Sequence, residues 1–569
     1  MLRSPSPYPY YITLLVIALF LLSCNSNDTK KEDVVTDPMA MDKTVAANIA
    51  SFLDAAAAHD GKVNDSLRFS MTGVLEKFYD ERNNMPCWSS KEKWQTLADT
   101  LYRFIEQAEL QGLFPEDYHY SQLRQLKTKL DADSISRMDA VLWTRADLLL
   151  TDGLVQIIKD LKVGRLRKDS VSLNKDSVLT TAFYLATLRR ITGPESFTAT
   201  INSLQPAHKG YWELKRGIRS FLDSMDRRVF THIRYPFRRG DQKDSAYFIK
   251  LLQQRLAESN CIGFTDRLPD STELAAAIRK YQSQKGLEVD GKYGRILVGE
   301  LNNNDVERFK RIALTLDRYK QLPPVMPEKY VWVNLPGFYL RMIQRDTVVF
   351  ESRVICGKPA TRTPLLNAEI SDMVTYPTWT VPTSIIVKEY LPKLKKNPNY
   401  LSRIGLKIFD GEGEEVDPTT VNWAKYTKGI PYKVMQGSGD DNSLGVIKFN
   451  FSNKYAVYLH DTNKRSLFRN ASRAYSHGCV RVQEWQKLAY YIADNDSSQL
   501  SLKREPVKYT ADSIRKWISQ KDRRRIDVKN RVPLFIRYFT CEGSGGKIRF
   551  YEDIYGEDKL LIEKYFAKK

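Results

Sequence analysis

The sequence predicts a multidomain α+β protein: an N-terminal helical scaffold, a small three-helix unit, and a mostly-β C-terminal domain carrying an inserted lobe. Three observations lead there. At 569 residues the chain exceeds the roughly 250–300 residues that one hydrophobic core sustains. Apolar residues recur at helical spacing through the first half, then change near residue 328 to short β-branched and aromatic runs parted by turn residues. Between the two, amphipathic helices alternate with glycine-marked turns.

At the N-terminus, Arg3 precedes an apolar run from Tyr11 to Leu22. Its length, about 12 residues, fits a secretory h-region and falls short of the roughly 20 that span a bilayer. The run ends in Leu21-Leu22-Ser23-Cys24, which resembles a bacterial lipobox. That resemblance implies a lipoprotein signal peptide over 1–24, lipidation of Cys24, and attachment to the periplasmic face of a membrane in the bacterial envelope. Asn25 in place of Asp after the cysteine favours the outer membrane. The alternative is an ordinary cleaved signal with a chance cysteine. Residues 25–45 are polar and read as a flexible tether.

Residues 46–237 carry helical spacing over Ala46 to Ala58, Met71 to Tyr79, Trp94 to Leu110, Ser136 to Lys162 and Ser177 to Ile191. They read as a scaffold without chemistry of its own. In the unit 238–304, Phe248, Leu251, Leu252 and Leu256 mark one helix, Leu274, Ala277, Ile278 and Tyr281 a second, and Leu297 to Leu301 a third. The second helix runs through Arg279-Lys280-Tyr281-Gln282 to Gly286-Leu287, and Val289-Asp290-Gly291-Lys292-Tyr293-Gly294 follows. This pattern resembles the small three-helix peptidoglycan-binding module; the alternative is a spacer whose glycines only shape turns. Residues 305–326 are expected to be a connecting helix.

From 327 to 505 the period is β. Strands are expected at Tyr330–Asn334, Phe338–Met342, Val348–Phe350 with Arg353–Ile355, Val374–Tyr376, Val446–Phe449 and Ala456–Leu459, giving a mostly antiparallel sandwich or barrel. Residues 385–432, with Pro392, Pro398, Pro418 and Pro431, break that rhythm and read as a partly helical capping insertion. Residues 506–569 are a C-terminal extension with a hairpin.

Composition excludes some functions. A net charge of +20, from 88 basic and 68 acidic residues, admits nucleic-acid binding. The basic residues are scattered and the signal sends the chain out of the cytoplasm, so no nucleic-acid partner is expected. Of the six cysteines, Cys87, Cys261, Cys356 and Cys541 lie far apart without Cys-x-x-Cys spacing. Disulfides and buried free thiols both remain open for them.

The chemistry concentrates in Ser476-His477-Gly478-Cys479-Val480-Arg481, with His460-Asp461 upstream. A cysteine nucleophile needs a base within hydrogen-bond reach and donors aimed at the developing oxyanion. Cys479 sits about four residues before a helix, where that helix's dipole has faded. His460 is therefore expected to make the thiolate.

Together with Phe468, Arg473-Ala474 and Val482, these residues resemble the signature of the YkuD-domain L,D-transpeptidases, in their long, multidomain form. Supporting stretches are Val354–Lys358, Thr361–Pro364, Tyr376–Pro382, Asn442–Phe449, Val532-Pro533-Leu534 and Asp553–Gly556. One departure is the loop Met435-Gln436-Gly437-Ser438-Gly439-Asp440-Asp441, where long-form relatives usually carry an Arg-Gln-x-Pro-Gly-type segment.

The resemblance implies that Cys479 attacks a peptidoglycan tetrapeptide stem, expels the terminal D-alanine and forms a thioester, with His460 moving the proton. A second stem would complete a 3-3 crosslink in cell-wall remodelling. Water would make the protein an L,D-carboxypeptidase, and a wall-attached protein is another acceptor. Backbone groups of His477, Gly478 and Cys479 would form the oxyanion hole, and the Asp461 carbonyl would orient His460. Ser476 joins the substrate-binding set. Arg481 either holds a substrate carboxylate or braces the turn, and Tyr458 and Trp379 either line the cleft or pack in the core.

The implied partners are stem peptides and glycan, a membrane through the lipid anchor, and a covalent β-lactam (carbapenem) adduct. No cofactor and no metal are implied. Three rivals remain: a zinc site using His460, His477 and Cys479, a papain-like amidase, in which the cysteine usually precedes the histidine, and a non-enzymatic wall-binding lipoprotein.

Overall fold

A computed structural model describes residues 34–65, 67–169, 171–173, 178–235 and 245–566. The expected signal peptide, Cys24 and residues 25–33 of the tether lie outside them. The chain divides into two compact units, one of Met1–Ala108, Phe114–Lys159 and Leu179–Asn202, the other of Glu109–Leu113, Asp160–Val178 and Ser203–Lys569. Among the described residues no helix is long and apolar enough to cross a membrane.

The first unit is helical: α1 (Met41–Ala58), α2 (Thr72–Asp80), α3 (Thr96–Glu106), α4 (Tyr120–Ala132), α5 (Ala140–Lys162, to residue 159) and α6 (Thr181–Thr192). Helix α1 starts inside the stretch expected to be tether, because Met41 and Val45 continue the buried stripe of Ile49, Phe52, Leu53 and Ala56. The Asp147 carboxylate on α5 is buried, accepts the N–H groups of Cys87 and Trp88 and the Tyr79 hydroxyl, and so satisfies its own burial. Burial pushes the Cys87 thiol up to about 12, and the group is a packing element.

In the second unit, α7 (Lys209–Asp223) packs on the C-terminal hairpin Cys541–Ser544/Lys547–Phe550, although the sequence assigned it to the N-terminal scaffold. Helices α8 (Ser245–Glu258), α9 (Ser271–Gln284) and α10 (Arg295–Asn302) share one core that includes Phe248, Leu252, Leu256, Leu274, Ile278, Tyr281 and Leu301. This is the expected three-helix unit. Helix α11 (Asp305–Lys320) follows and is buried nearly all round.

The β region contains β1 (Lys329–Asn334), β2 (Tyr339–Gln344), β3 (Thr347–Gly357), β4 (Leu366–Thr375), β5 (Trp379–Thr380), β6 (Leu406–Phe409), β7 (Lys433–Gln436), β8 (Ile447–Phe451), β9 (Leu459–His460), β10 (Ala474–Ser476), β11 (Val480–Val482) and β12 (Arg525–Arg537). Nine strands pair in the order β10-β3-β11-β9-β8-β4-β12-β1-β2, and β2 also pairs with β3, so the sheet closes on itself. Strands β9/β11, β10/β3 and β12/β1 run parallel. Val331, Val333, Met373, Phe449, Leu459, Val480 and Leu534 fill the interior, against Leu488 and Ile492 of α12 (Trp485–Leu502).

Three expectations change here. Strand β12, placed by sequence in a C-terminal extension, is central: it pairs with β4 on one side and β1 on the other. Its register on β4 breaks between Asp527 and Val532, and Pro533, which has no N–H to give, follows the break. The insertion is wider than 385–432 and has its own sheet, β6-β7-β5, over a core of Ile385, Leu391, Leu394, Leu401, Ile408, Trp423 and Val434. Only Leu459–His460 of the run from Ala456 forms a strand; Ala456 turns at φ 54.

Candidate active site

The parallel pair β9/β11 builds the site. Leu459 lies opposite Val480 and His460 opposite Arg481, which brings Cys479, just before β11, beside Tyr458. Leu459, Val480 and Val482 are wholly buried, and that alternation fixes the register. Cys479 remains partly exposed. It opens into a cleft of about 1250 Å³ whose lining includes His460, Tyr458, Trp379, Arg481, His477, Glu389 and the loop 436–441.

The turn before Cys479 is held from inside. The Ser476 hydroxyl donates to the Cys479 carbonyl at 2.5 Å and accepts the Gly478 N–H at 3.1 Å. Gly478 has φ +126, a region costly for a residue with Cβ. Behind it, the Thr363 hydroxyl donates to the Gly478 carbonyl at 2.7 Å, and the Tyr555 hydroxyl accepts the Thr363 N–H and donates to the Gly357 carbonyl. Ser476, expected against substrate, is 2% exposed and spent within this turn. The Gly478 N–H, expected in the oxyanion hole, is engaged as well. The N–H groups of His477 and Cys479 have no acceptor among the described residues.

His460 is buried, and its Nδ1 finds no hydrogen-bond partner among the described residues. Burial pushes its pKa down to about 3, the Arg481 charge adds to this, and the peptide groups of Asp461 and Leu444 oppose it. The Cys479 thiol is pushed above its usual value by burial, against the Tyr458 N–H and hydroxyl and the charges of Lys448 and Arg481. The sequence predicts a thiolate made by His460. In the structure burial instead favours the uncharged form of both groups, the imidazole being buried and the thiol partly exposed, and no hydrogen bond joins them among the described contacts.

Around this pair, the Asp461 carboxylate accepts the Val446 N–H at 3.0 Å and the Arg465 guanidinium at 2.8 Å. Gly445 has φ +63, and a Cβ there would lie 2.3 Å from that carboxylate, so only glycine lets the two segments meet. The His477 ring meets Glu389 of the insertion at 2.6 Å, with Lys358 at 3.4 Å. Burial raises the Glu389 carboxyl, but its bonds to His477 and Lys358 outweigh that and hold it below the usual value.

Residues 328–507 match the family model described as the L,D-transpeptidase catalytic domain, and residues 73–217 match one described as a scaffold domain. Residues 328–507 are an L,D-transpeptidase catalytic domain of the YkuD type. A Haemophilus influenzae protein provisionally named L,D-transpeptidase is 32% identical over 252 residues, which is 44% of this chain; the chain spans 49% of that relative's length. Among solved structures, the crystal structure of the L,D-transpeptidase (Yku) from Stackebrandtia nassauensis is 18% identical, with 46% of this chain and 91% of that chain covered and a TM-score of 0.17. An L,D-transpeptidase from Mycobacterium smegmatis is 12% identical, with 37% and 58% covered and a TM-score of 0.17.

The L,D-transpeptidase domain places its remaining candidates differently from one another. Tyr458 packs against the main core, with its hydroxyl facing the Cys479 thiol and Trp379. Trp379 packs against the insertion core and lines the same cleft. Arg481 lines it too, with its Nε buried and unpartnered. The altered loop folds onto Tyr376, just past β4: Ser438 donates to the Tyr376 carbonyl, and the Tyr376 hydroxyl donates to Asp440, which pairs with Lys521. Sequence reasoning missed Lys448, which alternation on β8 could have flagged, and Glu389, which no local signal marks.

Proposed function

We propose that the domain is a peptidoglycan L,D-transpeptidase that works through a Cys479 thioester. The observation that carries this reading is a partly exposed thiol on a fixed turn and a buried imidazole that line one cleft, which is large enough for a peptide stem. Cys479 Sγ attacks the carbonyl of the third residue of a tetrapeptide stem while His460 takes the thiol proton. The N–H groups of His477 and Cys479 receive the oxyanion. The C–N bond to D-alanine breaks, His460 returns the proton to the leaving amine, and a thioester remains. A side-chain amine of a second stem then attacks, losing its proton to His460; the C–S bond breaks, His460 passes that proton to the departing sulfur, and the new 3-3 amide and the free Cys479 thiol remain.

Arg481, unpaired and facing the cleft, is assigned to a stem carboxylate. The expected anchor at Cys24 would hold the chain on the periplasmic face of the envelope, and the α8–α10 unit would keep it on the wall.

Purified protein given tetrapeptide muropeptides should release D-alanine and accumulate dimers, and Cys479→Ala should abolish both. A carbapenem should add covalently to Cys479, read by intact mass. Turnover that survives in Cys479→Ala sinks the mechanism; products that lack dimers would make the enzyme a carboxypeptidase.

A further inference from the structure

Lys448 stands on β8 opposite His460. Its Nζ lies 3.9 Å from the centroid of the Tyr458 ring. No carboxylate pairs with it among the described residues: Asp372 on the neighbouring β4 is within its field but bonds Asn450 and Ser371 and faces Arg525. A half-buried cation without a partner costs stability that an apolar side chain of the same length would not.

The other end of the same tyrosine explains why the charge is tolerated. The Tyr458 hydroxyl faces Cys479 and the indole of Trp379, and the ring meets His460 edge-on at 5.6 Å. The groups that act on the thiol are therefore Tyr458, Lys448 and Arg481, with His460 opposite Arg481 on β9, and those around Lys448 are Tyr458, His460, Cys479 and Asp372. A cation on the face of a phenol ring draws electron density from it and makes the O–H a stronger donor.

We propose that Lys448 is a positioning residue for acyl transfer, acting through Tyr458: its ammonium seats the ring and polarises the phenol O–H towards the sulfur, stabilising the thiolate that forms when His460 takes the proton. The link to acyl transfer rests on the transpeptidase reading above, whereas the effect on the thiol does not. A lysine that merely lays its stem over an aromatic ring would leave the sulfur indifferent to its charge.

The test is the rate of Cys479 alkylation by iodoacetamide between pH 6 and 10, read by intact mass on the full chain. Lys448→Met should slow it about tenfold at neutral pH, the equivalent of one unit in the thiol's midpoint, and Lys448→Arg should restore most of the rate. In a Tyr458→Phe background, Lys448→Met should change the rate less than about twofold, since the coupled effect is then already lost. If Lys448→Met proves poorly folded by thermal melting, Lys448→Gln takes its place. Overlapping wild-type and Lys448→Met profiles overturn the proposal, as does an undiminished tenfold loss in the Tyr458→Phe background. Alkylation needs no peptidoglycan, so this failure is distinct from a failure to release D-alanine.

Discussion

A buried histidine kept neutral leaves a signature beyond catalysis. With its folded pKa pushed down to about 3, His460 is uncharged in the folded protein at pH values where the unfolded chain, titrating near 6.5, already binds a proton. Above pH 6.5 both states are neutral and the site is silent. As pH falls from 6.5 towards 3 the unfolded state gains the proton first, so stability is lost at about 1.4 kcal/mol per pH unit from this site. Denaturant melts of wild type and His460→Gln across that range should show a shallower acid loss in the variant; parallel curves would mean an imidazole that already titrates in the folded state. His460 and Cys479 were legible in the sequence because the motif is local and its residue types are chemically specific. Their protonation state was not, since burial, the Arg481 charge and the peptide groups of Asp461 and Leu444 come together around His460 only in the fold. The bracing by Ser476 was not legible for the same reason: it depends on where Cys479 O and Gly478 N point.

At the scale of elements, β12 carries the lesson. Short β-branched runs gave away β1, β2, β3 and β8, since each alternates or runs apolar within a few residues. Strand β12 hid behind the charges at Arg525, Asp527 and Lys529 and behind Pro533, although Ile526, Val528, Val532 and Leu534 are all buried. The family match ends at 507, yet β12 supplies the strand between β4 and β1 and Tyr555 backs the Gly478-Cys479 turn through Thr363. A chain ended at residue 507 leaves open edges on β4 and β1 and strips the core of Val532, Leu534 and Ile536. That chain should show no cooperative thermal transition, whereas one carried through residue 566 should melt cooperatively. A folded domain from the shorter chain, by near-ultraviolet circular dichroism, would show that β12 is dispensable. The insertion was legible only as a break in rhythm, because its sheet is assembled from strands 379–380, 406–409 and 433–436 too far apart to read as a hairpin.

At the scale of the molecule, the second unit is stitched from distant stretches of chain, and α11 is where they meet. Read as a connecting helix, it instead sits buried with its charges matched. Arg311 pairs with Glu300 of α10 at 3.1 Å, Arg318 with Asp558 of α13 (Glu557–Tyr565) at 2.6 Å, and Lys285, the residue after α9, with Asp305 at 2.7 Å. Asp317 accepts the Arg165 N–H, and Lys320 donates to the Asp160 carbonyl, which ties in the segment 160–178. Gly112 and Gly164 are positions where a Cβ would strike Leu316 and Asp317, so both flanking segments lie close against the helix. Sequence could not show this, because a helix lettered with Arg, Lys and Asp looks solvent-exposed until its partners, 240 residues and more further on, are placed. Asp558 is the sharpest place to test it: it is 1% exposed, holds Arg318, lies 3.8 Å from Arg311 and accepts the Thr540 hydroxyl. Asp558→Ala leaves two buried guanidinium groups short of a counter-charge, a change that typically costs about 3–5 kcal/mol. Calorimetry of the full chain should show the melting temperature of the transition that contains the L,D-transpeptidase domain lowered by several degrees. A substitution by asparagine should recover only the packing, leaving most of the loss in place, and a loss in Asp558→Ala below about 1 kcal/mol would mean that water or Glu300 already compensates these arginines.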